Sequence, residues 1–411
     1  MRKKVSVADL KPGMYIADLG SEWMAHPFLR SSFAVKDEAT VAKIAAAGIR
    51  EVYIDPERGL DVAHAPTHEE VQQELHAEML KAAATPAPVP RVPVAEEMGR
   101  ARRIHAEAHG IVHDVMNDVR LGRQVQLEQV DPVVGKMTDS ILRNGSALLS
   151  LTRVKNKDDY TFLHSVSVCA LLVAFARAVG LDAETLHLAG VGGLLHDVGK
   201  VRVPDAILNK PGRLSEAEFQ VMKSHVVESR RILQETDGVR ETSIQVAHEH
   251  HERFDGSGYA QGLAGDRISR IGQMAAICDV YDAITSDRVY HRGMQPHEAL
   301  RKIFEWSRFH FNPQLVQQFL RTIGIYPVGT LVMLESGRIA VVIDQAEDSL
   351  LQPRVKVFYD GRRRQYLPPL EVDLARSAGH GGADRIVGHE SAEKWGIRVP
   401  GADAGATDRR G

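Results

Sequence analysis

The chain has 411 residues, enough for two or three domains of about 100–200 residues each. Hydrophobic residues make up 44% and charged residues 26%, with a net charge of −3, which excludes a disordered or fibrous chain and a basic protein built for a nucleic-acid polymer. Two cysteines, Cys169 and Cys278, cannot form a disulfide framework and read as small core residues.

MRKKVSVADLKPG starts basic but has no apolar run behind it, so no signal peptide is expected. CALLVAFARAVG, from Cys169, is too short to cross a bilayer and contains Arg177. A cytoplasmic protein that does not engage a membrane is expected. Residues 1–54 read as a small α/β domain, with VSV, MYI, SFAV and VYI as strands and KDEATVAKIAAAG as a helix closed by Gly48. Residues 55–95 read as a Pro-rich linker containing one short amphipathic stretch, EEVQQELHAEMLKAAA. Residues 96–126 predict a connecting helix, or one that pairs in a homodimer.

Residues 127–325 predict an all-helical domain with short loops, and the class is therefore mainly α. From Tyr326 the apolar period shifts to two. GTLVMLESGRIAVVIDQ predicts a hairpin and PRVKVFYD a third strand, a small β domain over 326–374. Residues 375–411, rich in Gly, Ala and charge, predict a disordered tail.

The chain carries 19 histidines, and several of them fall with aspartates on apolar helices. LAGVGGLLHDVGK ends a helix with His196 and Asp197. A lone His-Asp pair is usually a polar helix end, and a lone His164 in YTFLHSVSVCALLVAFA is usually a satisfied core histidine. Yet His225 lies beside the buried side of the helix opened by the capping box Ser215-x-x-Glu218. His248, His250 and His251 precede a glycine turn, and Asp279 and Asp282 lie in the apolar QMAAICDVYDAITS. Burying this many polar groups costs several kcal/mol each, roughly, unless they share a partner. A metal cluster built from facing helices removes the difficulty, and nitrogen with carboxylate donors suits iron, manganese or zinc. A hydrogen-bond network is the bland alternative.

HDVGK, the upstream His-Ser, the downstream helical His, HHERFDGSGY and DVYDA together resemble the HD-GYP family of the HD phosphohydrolase superfamily, over about half the chain. The N-terminal unit is similar to a domain of unassigned role found in front of such domains. The resemblance implies hydrolysis of the bacterial messenger cyclic di-GMP to linear pGpG, and onward to GMP. It implies metal ligands His164, His196, Asp197, His225, His250, His251 and Asp279, with Asp197 bridging two metals. It further implies Lys200 on a substrate phosphate, and Asp282 and Arg288 at guanine or beside it.

Two departures stand out. Tyr160 occupies the place where some members carry a glutamate for a third metal, so two divalent ions, iron or manganese, are expected. Gly258-Tyr259-Ala260 replaces Gly-Tyr-Pro, which restores an N–H and is expected to loosen the loop. A family lysine beyond Arg288 is also not evident, with His291 and Arg292 in its place.

Two metals would raise the acidity of water and, with Lys200, neutralise the anionic oxygens of a phosphodiester. His248 is one candidate for the general acid. Backbone N–H groups of the turn at Gly256 and Gly258 are candidates for phosphate contact, a plain turn being the alternative. The basic residues Arg354, Lys356 and Arg362–Arg364 read as a solvated hairpin rim. Two rival readings stay open: another cyclic dinucleotide or nucleotide as substrate, or a signalling scaffold that engages protein partners through the GYA loop or the N-terminal unit.

Overall fold

The structure is a computed structural model and describes residues 2–20, 28, 32–82, 92–152, 160–210, 212–286, 293–345, 351–376 and 384–399. Strands β1 (Lys3–Ser6), β2 (Tyr15–Asp18), β3 (Phe33–Ala34) and β4 (Glu51–Ile54) form an antiparallel sheet in the order β1-β4-β2-β3. Helix α1 (Glu38–Ala46) is capped by Asp37, whose carboxylate accepts the Thr40 N–H, and it covers the sheet through Ile44. The span read as a linker is corrected in one respect: it holds α2 (His68–Ala82), whose Val71, Leu75 and Met79 are buried at helical spacing.

Helix α3 (Val94–Arg120) buries Ala101, Ile104, Ala108, Val112, Val115 and Val119 as one stripe against α4 (Leu127–Leu151). Near its start Glu97, 0% exposed, takes a bidentate pair of bonds from Arg143 at 2.8 Å each and a third from Ser140 at 2.9 Å. Helix α4 breaks at Asn144, whose side chain donates to Val92 O and accepts from Ser146 N.

The centre consists of α5 (Tyr160–Ala178), α6 (Ala183–Leu195) and α10 (Arg270–Thr285), apolar all round because other helices surround them. Among the described residues, α5 is the one helix long and apolar enough to span a bilayer, and 78% of that stretch is buried inside the protein. Close approach comes from glycine. A Cβ on Gly190 would lie 2.6 Å from Val134 Cγ1, and one on Gly193 would lie 3.0 Å from Cys169 Cα. A 3-10 turn over Val198–Arg202 and the short α7 (Asp205–Leu208) lead to α8 (Glu216–Gln234) and α9 (Glu241–Glu249). After α10 come α11 (Pro296–Trp306) and α12 (Pro313–Ile323), against which α2 packs.

The last sheet holds β5 (Leu331–Leu334), β6 (Arg338–Asp344), β7 (Arg354–Asp360), β8 (Gln365–Asp373) and β9 (Ile386–His389), in the antiparallel order β8-β7-β6-β5-β9. The expected disordered tail is corrected here. Residues 386–389 pair with β5, and α13 (Ala392–Trp395) sets Trp395 against Tyr359. Four strand residues without a strong alternation carry little periodic signal, and partner pairing decides them. β8 was hidden by Pro368 and Pro369, which an edge strand tolerates.

The N-terminal sheet sits directly on the helical domain. Lys4 Nζ lies 2.6 Å from Glu51 and 2.8 Å from Glu305 of α11, and the Tyr53 hydroxyl donates to Glu305 at 2.7 Å. Burial raises the Glu305 pKa, but the Lys4 ammonium outweighs it and holds the carboxyl below its usual value. Arg50 lies 3.6 Å from Asp255, and a Cβ on Gly48, whose φ is +76°, would meet Ser257 at 2.9 Å.

Replacing Glu97 with alanine leaves Arg143 and Ser140 unpaired and should destabilise the protein by about 3 kcal/mol at pH 7 in urea unfolding. The Arg143 bonds depress the Glu97 pKa below its unfolded value. Its contribution is therefore complete above about pH 4.3 and is lost as pH falls through the folded value. The difference between wild type and Glu97→Ala should shrink accordingly at acid pH.

Candidate metal centre

Five helices aim polar side chains at one point. His164 comes from α5, His196 caps α6 with Asp197 beside it, and His225 comes from α8. His250 and His251 end α9, and Asp279 and Asp282 come from α10. Asp197 and His225 are 1% exposed, and His196 and His250 are 0% exposed, so bulk water cannot satisfy them.

Three of the imidazoles are fixed in the same way. Nδ1 of His196, His225 and His250 faces the carbonyl oxygen three residues earlier, at 2.8, 2.7 and 2.9 Å. A carbonyl can only accept, so each ring carries its proton on Nδ1 and turns an Nε2 lone pair inward. Those three Nε2 atoms and Asp197 Oδ1 are buried without a hydrogen-bond partner. Unmatched groups of this kind cost about 1–3 kcal/mol each. All four lie in one cluster, and all are acceptors.

Asp197 stands between two groups. Its Oδ1 is 3.4 Å from His225 Nε2 and 3.9 Å from His250 Nε2. Its Oδ2 is 3.3 Å from His196 Nε2, 3.6 Å from His164 Nε2 and 2.5 Å from Lys200 Nζ. Asp279 Oδ1 lies 3.0 Å from His164 Nε2, and its Oδ2 lies 3.8 Å from His251 Nδ1. Donor atoms of His164, His196 and Asp279, and separately of His225, His250 and His251, fall within 4.8 Å of one another.

The electrostatics point the same way. Burial lowers the His225 pKa to about 4 and that of His250 to about 3, and it holds His251 well below its usual range, so these rings are neutral near pH 7. At His196 burial opposes the cation, but Asp197 and Asp279 outweigh it and raise the pKa. Burial would also neutralise Asp197, yet His196 and Lys200 keep it ionised, and the hydrogen bond from His164 does the same for Asp279. Converging neutral imidazoles, two carboxylates and orphaned acceptors fit divalent transition-metal ions.

Several supporting residues escaped the sequence reading. A Cβ on Gly199 would lie 2.1 Å from His225 O, and its N–H donates to Ser229 Oγ at 2.8 Å, so the turn after Asp197 is locked onto α8. The Tyr259 ring stacks on His251 at 4.7 Å. Glu252 accepts the N–H groups of Gln261 and Leu263 at 2.7 and 2.9 Å, so the loop expected to loosen at Ala260 is pinned just beyond it.

Other expected residues have close protein partners. Asp282, expected at guanine or beside it, is 3% exposed and lies 2.6 Å from His164 Nδ1, a contact of the kind that orients a ligating ring. Gly256 donates its N–H to Arg253 O at 2.8 Å, and a Cβ on Gly258 would sit 2.3 Å from Arg253 N. Both glycines thus have turn-forming reasons of their own. His248 places its Nε2 by Arg230 and Gln261, on the side of α9 turned away from the His250 cluster. Arg288, His291 and Arg292 lie outside the described residues, as does the side chain of Tyr160.

Comparison with known proteins agrees with this architecture. A family profile described as an HD domain matches residues 139–315, and one described as a domain of unknown function (DUF3391) matches residues 2–130. The chain is 42% identical over 405 residues to the cyclic di-GMP phosphodiesterase PA4108 of Pseudomonas aeruginosa, covering 97% of this chain and 94% of that one. It is 35% identical over 206 residues to the cyclic di-GMP phosphodiesterase response regulator RpfG of Xanthomonas campestris, 48% of this chain and 53% of that one. It is 38% identical over 154 residues to 3'3'-cGAMP-specific phosphodiesterase 1 of Vibrio cholerae, 38% of this chain and 36% of that one. The solved structure of Bd1817, an HDG"Y"P protein from Bdellovibrio bacteriovorus, aligns with a TM-score of 0.46 at 19% identity, over 78% of this chain and 98% of that one.

If Asp282 holds His164 for ligation, Asp282→Asn should weaken metal affinity about 10–100-fold while the fold persists. Chelator competition followed by metal analysis, with circular dichroism as the control, measures this. Full metal retention would remove the orienting role.

Proposed function

The chain belongs to the HD-GYP family, and we propose that it is a cytoplasmic phosphodiesterase that opens cyclic di-GMP to linear pGpG. One observation carries the reading: a buried, ionised Asp197 lies between two histidine clusters whose inward lone pairs have no other use. His164, His196, Asp197 and Asp279 would hold one divalent ion, and Asp197, His225, His250 and His251 the other, iron or manganese being suited to this donor set. Bound metals supply Lewis acidity toward the phosphate and an acidified water at neutral pH.

The chain's own residues do the rest. The carbonyls of Gly193, Met222 and Ala247 hold the ligand tautomers, and at His225 and His250, which burial keeps neutral, no proton must leave Nε2 when metal binds. Asp197 spans the clusters through its two oxygens, which keeps them at a fixed separation. Lys200 brings a positive charge within 2.5 Å of Asp197 and is placed to neutralise a phosphate oxygen. Burial excludes bulk water and strengthens each of these interactions. A protein partner would act through the N-terminal unit, which lies against Asp255 and Ser257 of the GYA loop.

Protein loaded anaerobically with manganese or ferrous iron should convert cyclic di-GMP to pGpG. Asp197→Ala should lower turnover by at least about 1,000-fold. A panel including 3'3'-cGAMP, the substrate named for relatives matched over less than half the chain, tests the choice of nucleotide. No turnover of cyclic di-GMP with either metal, or a clear preference for another nucleotide, would sink the reading.

A further inference from the structure

Lys223 lies on α8 two residues before His225 and reaches the loop that carries Tyr259. Its Nζ sits 4.7 Å from the centre of the Phe219 ring and 5.0 Å from that of Tyr259. Tyr259 in turn stacks on His251 at 4.7 Å with 28° between the planes. The ammonium is thus one aromatic ring away from the metal centre. It is half-buried, and no carboxylate or other acceptor pairs with it among the described residues.

Other lysines nearby differ. Lys200 is paired with Asp197 at 2.5 Å, and Lys210 with Glu218 at 2.6 Å. Two ring faces attract a cation but offer no hydrogen-bond acceptor for its three N–H groups. A half-desolvated ammonium without a counterion is costly to hold, and an anionic ligand relieves that cost.

The proposed substrate has a matching requirement. A cyclic dinucleotide carries two phosphodiesters in one ring, and only one can occupy the Asp197 cluster during a cut. The second needs a cation outside the ligand set but close to it. We propose that Lys223 is the anchor for this second, non-scissile phosphate and makes the site selective for substrates bearing two phosphates. This rests on the cyclic dinucleotide reading above. A compact ammonium with three donors suits a singly charged phosphodiester that needs charge more than a fixed bidentate geometry.

The test compares wild type, Lys223→Met and Lys223→Arg on cyclic di-GMP and on bis(p-nitrophenyl) phosphate, which has a single phosphate, with metal content measured in each. Lys223→Met keeps the apolar stem over the rings. It should raise KM for cyclic di-GMP about tenfold and change kcat by less than about twofold, and Lys223→Arg should recover most of the loss. The fall in kcat/KM should be at least about fivefold larger for cyclic di-GMP than for the single-phosphate substrate. Equal losses on both substrates, or loss of metal, would overturn the proposal and leave Lys223 as a prop for Tyr259 on His251. An unchanged KM for cyclic di-GMP would overturn it as well. Failure of wild type to cut cyclic di-GMP would instead remove the functional reading on which it rests.

Discussion

A carboxylate removed from water at the centre of a helical protein must be matched from every side, and Asp197 sets that demand here. Its oxygens face His164, His196, His225, His250 and Lys200, which come from α5, from the end of α6 and the turn after it, from α8 and from the end of α9. Helices that lined only a surface groove could not converge in this way. The apolar circumference of α5, α6 and α10 follows from the same requirement, since they must be packed on all sides to carry their ligands inward. Glycines at 190, 193 and 199 let the backbones approach closely enough for short side chains to meet.

The parts of the centre legible in the sequence were those where a polar residue interrupts an apolar face. His164, His225 and Asp279 each do so, and the His-Asp and His-His pairs sit where helices end. Local text could not show which partner each group meets. Asp282 carries the same signal as Asp279, yet its neighbour His164 lies 118 residues away, and no local pattern announces that contact. Gly199 looked like an ordinary turn glycine because its reason, the backbone of α8, is remote in sequence. The glycine-rich turn at 255–258 has the composition of a phosphate loop, and its glycines also serve close packing within the loop itself.

The same division applies to the fold. The mainly helical class, with small sheets at either end, follows from the period of the apolar residues and agrees with the structure. Elements whose stability comes from docking were harder to read. Helix α2 gains its place from α11 and α12, β8 from being an edge strand, and β9 from pairing with β5. In each case tertiary contact outweighs weak local preference.

The N-terminal unit touches the catalytic apparatus at several points. Its turn rests on residues 255–257, Lys4 and Tyr53 share Glu305 with α11, and α3, within the span matched to the domain of unknown function, packs on the turn that carries Lys200. Catalytic domain and N-terminal unit are therefore not separable cassettes. Cutting the chain in the proline-rich stretch would strip off the sheet and α2 and expose a buried lysine–glutamate–tyrosine seam, and a graft of residues 127–325 onto another protein would carry that torn face with it. Evolution can change the N-terminal unit only by remodelling it in place, residue by residue, against a surface that the loop at 255–257 already constrains.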